Sequence, residues 1–289
     1  MIKIQDPGPA LLQAATQGDL AALDAVLAAI QGGVYNLAVR MLGRREDAAD
    51  ATQEILLKVV THLGSFRGEA AFTTWVFQVA RNHLLTASTR SRENPESSLE
   101  AMAEKLQAGL DFAAALPGGE RVLTPEDKLA ARQVALGCTQ NMLMALDREQ
   151  RLVLVLDSVF GLPSKQAAEV LGLSAEAYRQ RLSRARARLD GFVSRTCGLA
   201  NDGAACRCGR QLPALAEAQQ RGVPLNPPLA RSRRELDEAE VQFGALLRLG
   251  DAASVLRAHP DYQAPASMRD AIRGVLQATG FWPDDRPLQ

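Results

Sequence analysis

Six arginines (Arg179, Arg181, Arg184, Arg186, Arg188, Arg195) fall between Ser174 and Arg195, against two carboxylates, Glu176 and Asp190. Read as a helix, the stretch puts Tyr178, Leu182, Ala185 and Leu189 on one apolar face, at steps of four, three and four. Glu176, Arg179, Gln180, Ser183, Arg184 and Arg186 are left outside. Guanidinium groups on such a face pair bidentately with guanine edges in a major groove, and neighbouring cations hold phosphates. Thiols follow at once: Cys197, Cys206 and Cys208, in a C-x8-C-x-C spacing. Three thiolates within twelve positions can converge on a soft metal or form a redox group. Cys138 lies far off on a predicted helix, His62, His83 and His259 are distant, and the paired C-x2-C spacing is absent. Two readings stand: reduced, unligated thiols, or a zinc or redox site on Cys197, Cys206 and Cys208. The first needs no cofactor.

The basic helix requires something to aim it. Lys165–Leu171 reads as a short helix, and Gly172-Leu173-Ser174 as a three-residue turn. Glycine supplies positive φ, leucine plugs the core, and serine caps the next helix. Small Ala168 sits where two steeply crossing helices must approach closely. This is the arrangement of a helix-turn-helix whose second helix can enter a major groove, with flanking arginines able to hold phosphates. A solvated arginine face on an ordinary surface helix is the bland alternative. The short helix, the turn and the basic helix together outweigh it.

The whole chain has 289 residues, 33 basic and 33 acidic, with 47 % hydrophobic and 4 % aromatic side chains. That length accommodates about two domains, and the composition excludes a wholly disordered chain. Four cysteines are too few for a disulfide scaffold. No uninterrupted apolar run reaches the roughly 18 residues that span a bilayer, and Met1-Ile2-Lys3 does not begin a secretory signal. The expectation is a cytoplasmic, all-α protein without membrane insertion. Zero net charge alone speaks against nucleic acid, but the charge is segmental. Glu93–Leu123 carries two basic and six acidic residues, and Thr124–Thr196 eleven and eight.

Leu11–Arg40 reads as one or two helices broken near Gly32-Gly33, and Glu46–Leu63 as a long helix with Ala48, Ala51, Ile55, Val59 and Leu63 on one face. Phe72–Thr89 resumes helix, with Trp75, Val76, Val79, Ala80 and Leu84 as core candidates. Arg92–Leu123 is a linker with a short helix around Leu99–Leu110. Thr124-Pro125-Glu126-Asp127 starts a helix that runs through Leu146, and Arg148–Phe160 forms another. Beyond Thr196, helical patterns return at Arg233–Leu249, Ala252–Ala258 and Ala266–Ala278. Leu236, Val241, Phe243, Leu246, Leu247, Leu249, Val255, Leu256 and Ile272 supply apolar surface there.

Two blocks together resemble the extracytoplasmic-function (ECF) group of the sigma-70 family, promoter-recognition subunits of bacterial RNA polymerase. Arg45–Arg92, with its D-x-x-Q-E helix, F-R-G loop and T-W-x-x-x-x-A-R-N helix, is similar to sigma region 2. Leu146–Leu189 is similar to region 4. The resemblance implies two helical sigma domains, a region 2 bundle over 11–92 and a region 4 helix-turn-helix over 124–196, joined by an acidic linker over 93–123. A helical, cysteine-containing C-terminal extension covers 197–289. It also implies roles. Asp50, Gln53 and Glu54 dock on the polymerase clamp helices. Phe66 and Arg67, with Gly68, lie in the loop that captures a flipped base of the minus-ten element. Trp75, Arg81 and Asn82 lie on the helix that reads and opens that element. Lys165, Glu176, Arg179, Gln180, Arg181, Arg184 and Arg186 face the minus-thirty-five element. Core packing explains Trp75 and Phe72 about as well. Two positions depart from the family pattern: Thr86 stands where many relatives carry an acid, and Val60 where many carry an aromatic.

The implied partners are core RNA polymerase and promoter DNA, with either a separate anti-sigma factor or the chain's own tail as regulator; the tail's apolar surface suits docking on the sigma domains and a small independent bundle equally. No catalytic triad or phosphate-binding glycine loop occurs, so a non-enzyme is expected. Two other classes compete. A helix-turn-helix regulator acting without polymerase leaves Arg45–Arg92 unused, and a metal- or redox-responsive regulator depends on the cysteines.

Overall fold

The structure, a computed structural model, describes residues 3–87, 98–117, 123–222, 256 and 261–281. Its regular elements are eleven α-helices, and the described residues contain no strand beyond one isolated bridge between Cys197 and Cys206. α1 (Pro9–Thr16), α2 (Leu20–Leu42), α3 (Arg45–Thr61) and α4 (Phe72–Ala87) form a first bundle, followed by α5 (Leu99–Ala115). α6 (Pro125–Met144), α7 (Arg148–Leu154), α8 (Ser164–Leu171) and α9 (Ala175–Thr196) form a second. α10 (Leu212–Gln220) and α11 (Met268–Ala278) belong to the extension. The stretch Arg233–Leu249 and most of Ala252–Ala258 lie outside the described residues, with Leu236, Val241, Phe243, Leu246, Leu247, Leu249 and Val255; Leu256 is described and fully buried.

The expected break at Gly32-Gly33 does not occur. α2 runs through both glycines, and the chain turns earlier, at Gly18 (φ 91°), where Asp19 caps α2 by accepting from Ala22 N–H at 3.0 Å. Gly33 is instead a contact residue: a Cβ there would lie 2.5 Å from Ile4 Cγ1 and 3.0 Å from Ile4 Cα. Tertiary packing outweighs the roughly 1 kcal/mol that a mid-helix glycine costs. α2 is also long and apolar enough to cross a membrane by length and composition, although polar residues interrupt its apolar runs. Its apolar window is 67 % buried inside the protein, as in a core helix.

α3 follows its predicted face, with Ala48, Ala51, Ile55 and Val59 buried against α2 and α4. Arg148–Phe160, expected as one helix, divides. α7 ends at Leu154 and the chain widens into a π-turn over Val155–Val159, with Phe160 N–H donating to Val155 O at 3.1 Å. That turn carries Phe160 onto α4, where it meets Phe77 edge-on at 5.1 Å.

The two bundles therefore share one core. Gln166 Nε2 donates to Thr74 Oγ1 at 3.1 Å, Gln78 Nε2 to Glu169 O at 3.2 Å, and Arg148 Nη1 to Leu85 O at 3.0 Å. Arg151, buried ahead of the run Leu152–Leu156, donates to the carbonyls of Leu143, Met144 and Leu146 at 2.8, 2.9 and 2.9 Å, and also to Met41 O. One guanidinium thus satisfies carbonyls at the C-terminal ends of α6 and α2, groups that a helix leaves without intrahelical partners.

α5 runs five residues past its expected end at Leu110, to Ala115. The extension holds it. Gln211 Nε2 donates to Leu106 O at 2.8 Å, and Gly109 makes room, since a Cβ there would sit 2.2 Å from Gln211 Oε1.

Candidate nucleic-acid interface

The helix-turn-helix is built as its residue chemistry requires. Gly172 adopts the left-handed conformation (φ 65°) and ends α8, while Leu173 N–H donates to Ala168 O at 2.9 Å. Ser174 Oγ accepts from Ala177 N–H at 3.1 Å and starts α9. Ala168 is buried where α8 crosses α9, and Tyr178, Leu182, Ala185 and Leu189 are all buried. Tyr178 donates its hydroxyl to Val153 O at 3.3 Å. Burial, and secondarily the Asp157 carboxylate, push its phenol well above the ordinary value.

α9 exposes Glu176, Arg179, Gln180, Arg184 and Arg186, and α8 exposes Lys165. Arg181 is half-buried and pairs with Glu149; Arg186 pairs with Asp157 at 2.5 Å. Two of the cations expected to face DNA are thus engaged with carboxylates of their own bundle.

In the first bundle, Asp50 and Glu54 are exposed on α3 and Gln53 is half-buried. Glu54 Oε2 lies 3.8 Å from His83 Nδ1, which is also 2.9 Å from Lys58 Nζ. Phe66 is part of an aromatic cluster, 5.5 Å from both Phe72 and Trp75, with Phe72 and Trp75 5.8 Å apart. Phe72 is buried, Trp75 and Phe66 are half-buried, and Arg67 is exposed. Asn82, exposed, follows Trp75 by seven positions, two turns along the same helix face. Arg81 is half-buried, and its Nε is buried without a hydrogen-bond partner among the described residues. The structure brings Phe66 and Trp75 together. It keeps α4 and α9 as separate surfaces, with α8 packed on α4.

The four cysteines gather in one corner. The backbones of Cys197 and Cys206 pair in an isolated β-bridge, with Gly198 N–H donating to Cys206 O at 2.9 Å and the thiols free, and Cys208 opens a 3-10 turn that packs on α6, the helix carrying Cys138. Cys138, distant in sequence, therefore belongs with the other three. Burial pushes the Cys138 thiol well up, and repulsion from Cys208, Cys197 and Cys206 adds to it. Cys208 is pushed up to about 12 by burial and then by Cys197 and Cys206. Gln211 Nε2 donates to Cys206 Sγ at 3.5 Å. Among the described residues no group of three or more such side chains is arranged to hold a metal ion.

Sequence patterns missed Arg151, Gln166 and Gln78, which join the bundles. Only Arg151 carried a signal, as a lone cation leading an apolar run.

The two bundles match known proteins segment by segment. Residues 27–93 match the family model Sigma-70 region 2, and residues 136–189 match Sigma-70, region 4. Both matched segments are those of the sigma-70 family. The chain is 27 % identical over 190 residues to the RNA polymerase sigma-H factor of Pseudomonas aeruginosa, covering 64 % of this chain and 93 % of that protein. It is 28 % identical over 187 residues to the ECF RNA polymerase sigma-E factor of Haemophilus influenzae, covering 64 % and 94 %. Against the ECF RNA polymerase sigma factor SigM of Mycobacterium tuberculosis it is 29 % identical over 193 residues, covering 67 % and 86 %. About a third of the chain lies outside each of these alignments.

Proposed function

We propose that the chain acts in the cytoplasm as a sigma factor, a non-enzymatic subunit that binds core RNA polymerase and directs initiation at promoters, with its C-terminal extension as a regulator. The observation that carries the reading is the presence of both sigma segments in one chain, in family order, with the second ending in a basic helix-turn-helix. Asp50, Gln53 and Glu54 supply exposed and half-exposed hydrogen-bonding groups on α3 for the polymerase. Arg67, Trp75, Arg81 and Asn82 on and before α4 serve the minus-ten element, with Phe66 leaving its aromatic cluster to take a base. On α9, Arg179, Gln180 and Arg184 read the minus-thirty-five element, Arg181 and Glu176 flank them, and Lys165 and Arg186 hold phosphates. Each bidentate arginine–guanine pair discriminates by about 1–3 kcal/mol.

The two elements are named for positions about 25 base pairs apart, or about 85 Å of duplex at about 3.4 Å per base pair. α4 and α8 are in direct contact. On this reading the bundles part before both elements are engaged, and the α4–α8 contact belongs to a closed form of the free subunit.

Run-off transcription with core polymerase tests the reading. The full chain should confer promoter-specific initiation, and Arg179→Ala with Arg184→Ala should remove it while leaving polymerase binding intact. A chain that binds DNA yet leaves core polymerase non-specific on every template would establish a regulator acting without polymerase instead.

A further inference from the structure

The extension returns to the first bundle and lies on α2 and α3. Tyr262 enters the α2 surface with its backbone held at both ends. Its N–H donates to Asn36 Oδ1 at 2.8 Å, and its carbonyl accepts from Asn36 Nδ2 at 2.8 Å. Asn36 is itself fixed by Arg40, whose Nη1 donates to Asn36 Oδ1 at 2.9 Å and to Asn36 O at 3.1 Å. Arg40 is 1 % exposed, so its guanidinium lies inside the protein. Burial lowers its pKa, while Tyr262 and the Asp261 carboxylate act against that shift. The guanidinium groups of Arg40 and Arg45 both stand 5.2 Å from the centre of the Tyr262 ring.

α11 continues the contact. Met268, Ile272 and Leu276, one row at four-residue steps, are all buried, and α11 packs on α3 and α2. Arg269 and Arg273 on its flank each lie 3.3 Å from Asp24 of α2. Backbone hydrogen bonds to a buried amide, two cations on one ring and a buried apolar row make a specific docking site rather than a casual covering.

Its position on α3 carries the consequence. Arg45, Ala49 and Gln53 are successive members of one i, i+4 row, so they line a single edge of that helix. Tyr262 takes the first of them. The third is a polymerase-docking residue, with Asp50 and Glu54 beside it. Glu54, at the far border of that group, also approaches His83 of α4 together with Lys58.

We infer that the Arg45–Ala49–Gln53 edge of α3 is a shared docking surface, held by the Tyr262–α11 segment in the free chain and by the polymerase clamp in the holoenzyme. The inference rests on the sigma-factor reading of α3. The tail then acts as a tethered competitor, doing within one chain what a separate anti-sigma protein does between two. A segment that blocks a site lowers apparent affinity by the fraction of molecules in the open form. A chain closed in nine molecules of ten or more binds polymerase about tenfold or more weakly than the same chain with the tail displaced.

The test uses the full-length chain and purified core polymerase from the organism that makes it. Ile272→Asp places a carboxylate at a fully buried point of α11 and should tighten polymerase binding by at least about tenfold. Arg269→Ala with Arg273→Ala removes only partly exposed side chains, and should move affinity in the same direction by less. Hydrogen exchange over 268–278 should be slow in the free chain and fast in the polymerase complex. Glu54→Lys added to Ile272→Asp should abolish binding. Equal affinities for all tail variants, with 268–278 still protected in the complex, would overturn the competition while leaving the sigma-factor reading intact. Failure of the wild type and of every variant to bind polymerase would overturn both. Should Ile272→Asp lose helix content by circular dichroism, the paired arginine variant decides alone.

Discussion

The contact between Phe77 and Phe160 tests whether the two sigma bundles behave as one cooperative body. Both rings are buried, at 2 % and 4 % exposure, and meet edge-on at 5.1 Å with an interplanar angle of 87°. Truncating a buried phenylalanine costs about 3–5 kcal/mol, and an edge-to-face pair contributes about 0.5–1.5 kcal/mol beyond area burial. Phe77→Ala and Phe160→Ala should each destabilise the chain by about 3–5 kcal/mol in urea titrations. The double variant should fall short of their sum by about 1 kcal/mol. The wild type should unfold in one transition, followed in parallel by tryptophan fluorescence, which includes Trp75 in the first bundle, and by far-ultraviolet circular dichroism over all helices. Either single substitution should pull the two signals apart, because it opens a gap in the apolar seam beside the hydrogen bonds Gln166–Thr74 and Gln78–Glu169 and the contacts of Arg148 and Arg151. Additivity of the two substitutions within about 0.3–0.5 kcal/mol, or two separate transitions in the wild type, would refute the shared core and the closed form built on it.

Three further outcomes follow from local geometry. Gly172→Ala should cost about 1–2 kcal/mol in unfolding experiments, since φ is 65° and no atom lies near the added Cβ, so the penalty is conformational and not steric; Ser174→Ala should cost about 1 kcal/mol through loss of the α9 cap. Stability should hold from neutral pH to about pH 9 and then fall. Cys208 has a folded pKa near 12 against an ordinary value of 9, so its folded state favours the protonated thiol, and that stability is lost as pH rises from the unfolded toward the folded pKa; Tyr178 and Cys138 act with the same sign, and thermal melts of Cys208→Ala should show a shallower alkaline fall. Purified chain should carry less than about a tenth of an equivalent of zinc, and Cys138, Cys206 and Cys208, whose thiols burial pushes up, should react slowly with thiol reagents near neutral pH, because thiolate is the reactive form; a stoichiometric metal found by elemental analysis would overturn this.

Features governed by neighbours along the chain were legible in the sequence. The Gly172 turn, the Ser174 cap and the Tyr178–Leu189 row depend on residues within a helical turn or two, and each stands as expected. Thr124 at its N-cap is another, completing a reciprocal capping box with Asp127. Interactions between distant segments were not legible. Asn36 and Tyr262 are 226 positions apart, and neither an asparagine in an apolar helix nor a tyrosine in a loop announces its partner. Cys138 is remote by sequence separation alone, whereas the packing of α6 against the 3-10 turn at Cys208 sets its neighbours. Gly32-Gly33 misled for a related reason. A glycine signals backbone freedom or close approach equally, and only the position of Ile4 shows that close approach is what α2 uses.

The neutral total charge also takes on a structural meaning. On α9 the carboxylates that balance the arginines are partly within the same bundle: Glu149 on Arg181 and Asp157 on Arg186. Both arginines retain substantial exposure, and exposed ion pairs contribute only about 0–1 kcal/mol. A phosphate can therefore displace the carboxylate at little cost, but the exchange is not free. Each cation already neutralised at home releases fewer counterions when it reaches DNA, which lowers non-specific affinity and its salt dependence. Base-edge contacts lose less, because bidentate geometry and not bulk charge decides them. A helix arranged this way would bind weakly to any duplex and discriminate among duplexes once held in register. Under the proposed function, that balance suits a subunit delivered to DNA by its polymerase, with the larger enzyme supplying the electrostatic attraction and α9 the reading.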